Sequence, residues 1–77
     1  MGDRMPRATG SRVLNALERA GWYKVRQRGS HVMMRHPARP DALIVIPVHA
    51  GQDVPEGTMR RILRESGLTA DELRRLL

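Results

Sequence analysis

The sequence predicts an α+β fold: a helix, a three-stranded antiparallel sheet, a second helix and a short third one, with helices covering one face of the sheet. Three observations predict it. Apolar residues at helical spacing occupy the first quarter of the chain. Two strand-length runs of alternating character meet at Gly29-Ser30. A second stretch of helical spacing ends in a capping pair near the C-terminus. Strands joined by so short a turn must run antiparallel.

Residues 1–7 are expected to form a flexible N-terminal tail, in which Met5-Pro6-Arg7 reads as an alternative start, and residues 8–77 a single domain. Thr9 is placed to cap the first helix, whose apolar face carries Val13, Leu14, Leu17 and Ala20. Gly21 closes it as the left-handed residue that follows a helix end. Trp22 to Arg28 reads as the first strand, with Tyr23, Val25 and Gln27 on one face and Lys24, Arg26 and Arg28 on the other, Trp22 leading that second face. Gly29-Ser30 turns the chain into a second strand, His31 to His36, where Val32 and Met34 oppose His31, Met33 and Arg35. Pro37 and Pro40 mark a loop. Ala42 to Ile46, apolar at every position, is expected as the central strand, and Pro47 ends it.

After a loop at 48–53, Pro55 suits the first turn of a helix whose apolar face is Met59, Ile62 and Leu63 and which Gly67 terminates. Thr69 and Glu72 form a capping box, each side chain serving the other's backbone N–H. The last helix is expected to bury Leu73 and Leu76, with Leu77 as a further candidate. No internal repeat is present.

Composition narrows the function classes. The chain has 77 residues, no Cys and no Phe, and one Trp and one Tyr. A disulfide scaffold and a thiolate zinc site are therefore excluded, and a reducing cytoplasm suits the chain. No apolar run reaches membrane-span length. The net charge is +6, and 13 of the 14 basic residues are Arg. Guanidinium forks suit phosphate oxygens, so nucleic acid or an acidic protein is the expected partner. A solvated basic surface would have the same composition.

The chemistry concentrates between Lys24 and Arg35. A small turn delivers the His31 imidazole onto a strand flanked by Arg26, Arg28 and Arg35. Imidazole moves protons near neutral pH, and guanidiniums hold phosphates. Metal-free RNA cleavage needs a base for the 2′-OH and an acid for the leaving oxygen, and imidazole serves both tasks. His49, just past the third strand, could orient RNA or supply the second proton function. His36 ends a strand. The spacings of five and thirteen between the three histidines match no common metal-ligand pattern. Lys24, Arg26, Arg28 and Arg35 are the candidates for holding phosphates, and Ser30 could hydrogen-bond one, although the turn alone explains a serine there.

Several landmarks, taken in order, resemble the HicA family of bacterial toxins, the YcfA-like mRNA interferases. Gly21-Trp22 ends a short helix, and Arg28-Gly29-Ser30-His31 joins two strands. Pro47-Val48-His49 follows an apolar strand. Gly57-Thr58 opens a helix closed by Gly67-Leu68. The resemblance spans residues 8–77, with Trp22 and Val32-Met33-Met34 as departures where the family more often has Phe and an aromatic. It implies a fold like a double-stranded-RNA-binding domain. It further implies a metal-independent endoribonuclease that cleaves mRNA with His31 as catalytic residue and without a cofactor, and a HicB-type antitoxin as partner. The rival reading is a non-catalytic double-stranded-RNA-binding module. Such a module usually grips phosphates with a Lys-rich helix start, and Pro55–Arg61 lacks a Lys cluster.

Overall fold

The computed structural model describes residues 4–77, so the first three residues of the expected tail lie outside the described part. The elements are α1 (Gly10–Arg19), β1 (Tyr23–Arg28), β2 (His31–His36), β3 (Arg39–Pro47), α2 (Glu56–Ser66) and α3 (Ala70–Leu76). This is the α+β order expected. The three strands form one antiparallel sheet in the order β1-β2-β3. Of the segment expected as a tail, Met5 packs partly against the core and Pro6 is buried.

Helix boundaries follow their caps. The Thr9 side chain accepts from the Arg12 N–H and starts α1. Its end is a Schellman closure: Trp22 N–H donates to the Leu17 carbonyl and Gly21 N–H to that of Glu18, with Gly21 at φ +100°. Thr69 and Glu72 complete a reciprocal capping box at α3. Pro55 caps α2 by position only, with no side-chain bond.

One face of the sheet carries Val32, Met34, Ile44 and Ile46, all buried in the same core as Val13 and Leu17 of α1, Met59 and Ile62 of α2 and Leu73 of α3. Burying an aliphatic side chain contributes roughly 1.5–3 kcal/mol, so these contacts hold the helices to that face. Among the described residues no helix covers the other face, where Tyr23 and Leu43 are exposed.

Two expectations about the strands are corrected. The central strand is β2, and the apolar β3 lies at an edge. Its alternate residue Leu43 faces outward and is 39% exposed, so an unbroken apolar run here does not mean burial on both faces. β3 also extends back to Arg39, through Pro40. An edge strand accommodates a proline because one side of its backbone has no ladder partner. The register slips between Met34 and His36, where the pairing resumes with Arg39.

A cleft between two histidines

The β1–β2 hairpin is built to present His31. Gly29 has φ +56°, and among the described residues no non-glycine has positive φ, so Ser30 does not; this is the sign pattern of a II′ turn across Gly29-Ser30. The turn fixes Arg28 opposite His31, and β3 places Pro47 on the other side of it. Residues directly opposite in an antiparallel pair project to the same face. Arg28, His31 and Pro47 therefore form one row on the uncovered face.

The loop that follows β3 is pinned at three points. Val48 N–H donates to the Ser30 carbonyl at 2.6 Å, Gln52 N–H to the His49 carbonyl at 3.0 Å, and Val54 N–H to the Ala8 carbonyl at 2.9 Å. Behind it, the start of α1 lies directly on the chain. A Cβ on Gly10 would collide with the Pro47 carbonyl oxygen and come within 2.9 Å of Val48 Cα. Glycine at this position lets the helix back the strand end that pairs with His31.

These contacts leave a cleft of about 230 Å³ whose lining includes His31, His49, Asp53, Thr58 and Arg61. His31 and His49 are both exposed, and neither side chain makes a hydrogen bond among the described residues. Arg61 is held: its Nη2 donates to the Val45 carbonyl at 2.9 Å, and its Nη1 lies 3.6 Å from Glu65 Oε1. Two imidazoles can take and give protons beside a bound phosphodiester, the guanidinium and the hydroxyl can donate to its oxygens, and the Asp53 carboxylate repels its charge.

The basic candidates do not all share one surface. Arg28 pairs with His31 and Arg26 with Met33, on the uncovered face. Arg35 is on that face too, opposite Tyr23 at the far end of β2, with its Nη1 donating to the Pro40 carbonyl at 3.2 Å. Lys24 departs from the expectation that it shares a face with Arg26 and Arg28. A bulge at Val25 shifts the register, so Lys24 pairs with the buried Met34 and belongs to the helix side. Ser30 is half-buried in the turn, and its carbonyl receives the Val48 N–H.

His36 has a structural position. Its Nε2 lies 3.0 Å from the Ala20 carbonyl, its Nδ1 accepts from the Ala38 N–H, and its ring meets buried Trp22 edge-on at 5.3 Å. Among the described residues no cluster of three His, Asp or Glu side chains is placed to hold a metal ion. No described helix is long and apolar enough to cross a membrane.

Thr58 and Arg61 were not singled out by sequence reasoning. The available signal was their spacing with Glu65, at steps of three and four, which puts all three on one flank of α2 beside the apolar face.

A family model described as HicA toxin of bacterial toxin-antitoxin matches residues 10–68. The match begins at the start of α1 and runs just past α2, so it includes both histidines, the hairpin and Arg61 and leaves α3 outside. No curated protein matches the chain.

Proposed function

The chain belongs to the HicA toxin family, and from that premise we propose that it is a metal-independent endoribonuclease that cleaves mRNA at the His31 cleft and is silenced by a HicB-type antitoxin. The observation that carries the proposal is the placement of two exposed imidazoles, His31 and His49, on the lining of one cleft.

Chemistry follows from that placement. A neutral imidazole takes the 2′-OH proton as the 2′-oxygen attacks phosphorus. An imidazolium gives its proton to the 5′-oxygen as the P–O5′ bond breaks. The products carry a 2′,3′-cyclic phosphate and a 5′-OH. His31 is the catalytic acid/base, and His49 supplies the second proton function. Arg28 beside His31, Arg26 one row further and Arg35 beyond it draw the RNA backbone along the uncovered face.

An uncovered basic face and an exposed His31 also suit an acidic protein partner. The antitoxin acts by covering both.

The test is cleavage of single-stranded RNA by the purified chain in excess EDTA, with end-group analysis. Cyclic-phosphate ends at an undiminished rate are expected. Loss of activity on chelation, restored by a divalent ion, or 5′-phosphate ends, would replace this mechanism with metal-activated attack by water.

A further inference from the structure

In-line attack on a phosphodiester adds negative charge to the non-bridging oxygens while the proton transfers proceed. Two histidines account for the protons and leave that charge unaddressed. Preorganised donors aimed at developing charge are usually the largest single contribution to such catalysis.

Among the described residues the cleft offers one permanent cation for this task. Arg61 is the only guanidinium on its lining among the described residues, and the imidazoles serve the proton transfers. Arg61 is also the best restrained of the arginines near His31. One Nη2–H is spent on the Val45 carbonyl, two residues before the Pro47 that pairs with His31, and Glu65 faces Nη1. Two residues along a strand span about 7 Å, so the guanidinium is anchored within reach of the His31 row. A guanidinium has five donors, and the Val45 bond uses one of them. Arg26 and Arg28, by contrast, project from an edge strand exposed at every position.

We infer that Arg61 is a catalytic residue that donates to a non-bridging oxygen of the scissile phosphate and stabilises the transition state. The inference rests on the ribonuclease reading above. No bond forms or breaks at Arg61, and its proton stays on the guanidinium. Val45 and Glu65 hold the side chain before substrate arrives, so little ordering is left to occur during the reaction. Thr58, one turn earlier on the same flank of α2, lines the approach.

The experiment compares wild type, Arg61→Ala and Arg61→Lys in RNA cleavage. Each is also combined with His31→Ala, to measure affinity for uncleaved RNA. Removing one such donor lowers kcat by about 10² to 10³. Arg61→Ala should show that loss, while the affinity measured with His31→Ala changes little. Millimolar methylguanidinium should restore part of the rate to Arg61→Ala and leave wild type unchanged, a response that a purely structural cap on Val45 would not give. A folded Arg61→Ala with wild-type kcat, a loss confined to RNA affinity, or no rescue would overturn the inference. If Arg61→Ala does not fold, Arg61→Lys decides. It keeps a donor for Val45 but has a single ammonium in place of the fork, and full activity would refute the role. Failure of the wild-type chain to cleave RNA would remove the ribonuclease reading itself. Active wild type with an unaffected Arg61 variant would remove only this assignment.

Discussion

Gly10→Ala sets two physical effects against each other. By helix propensity alone the substitution stabilises α1 by at most about 1 kcal/mol. The packing predicts the opposite sign. The new Cβ would collide with the Pro47 carbonyl oxygen and lie 2.9 Å from Val48 Cα, and both atoms are backbone. No rotamer change relieves backbone overlap, so α1 must move away from the end of β3. Inserting a carbon into a well-packed site typically costs about 1–3 kcal/mol. Net destabilisation of up to about 2 kcal/mol is expected once the full propensity gain is subtracted. For a domain of this size each kcal/mol lowers Tm by roughly 4–8 °C. Thermal unfolding followed by circular dichroism measures it. The same shift would loosen the Val48–Ser30 contact and with it the placement of His49. An unchanged or raised Tm would show that the α1–β3 contact is not as tight as described and would refute the reasoning.

Arg26→Ala and Arg28→Ala should each make the log–log salt dependence of RNA binding shallower by about 0.7, one phosphate's worth on a single strand, whereas Lys24→Ala, on the helix side of the bulge, should leave the slope unchanged. Equal effects at all three positions would contradict the register. The chain should form a stable complex with an acidic protein that covers His31 and the Arg26–Arg35 hairpin, raising Tm by mass action and abolishing cleavage. Co-expression with the neighbouring gene product, followed by co-purification and a cleavage assay, measures this, and a complex that cleaves as fast as the free chain would rule occlusion out.

Much of the fold is legible in local chemistry. Thr9, Gly21 and the Thr69–Glu72 box each mark a helix end through bonds that involve only near neighbours. Gly29-Ser30 marks the hairpin for the same reason. What escaped the sequence depends on distant contacts. Leu43 and Val45 look like core residues in the string, although β3 lies at the edge of the sheet and the face they share is not packed into the core. The Val25 bulge is invisible in a run that alternates regularly on either side of it, yet it moves Lys24 to the other face. The candidate site was half legible. His31 and Arg28 are neighbours through a turn that can be read directly, and Pro47 marks the strand end that precedes His49. The meeting of His31 with His49, Thr58 and Arg61 depends on the Val48–Ser30 bond and the docking of α2 along β3, which no local pattern encodes.

The most direct test of the central claim is the cleavage rate of His31→Ala. His31 is exposed and its side chain makes no hydrogen bond among the described residues, so the variant should keep the wild-type circular dichroism spectrum and Tm. General acid–base catalysis contributes about 10² to 10⁴ in rate. Folded His31→Ala should therefore bind RNA and cleave it at least about 10²-fold more slowly than wild type, and should no longer arrest growth when expressed without an antitoxin. A folded His31→Ala that cleaves RNA at the wild-type rate would contradict the account.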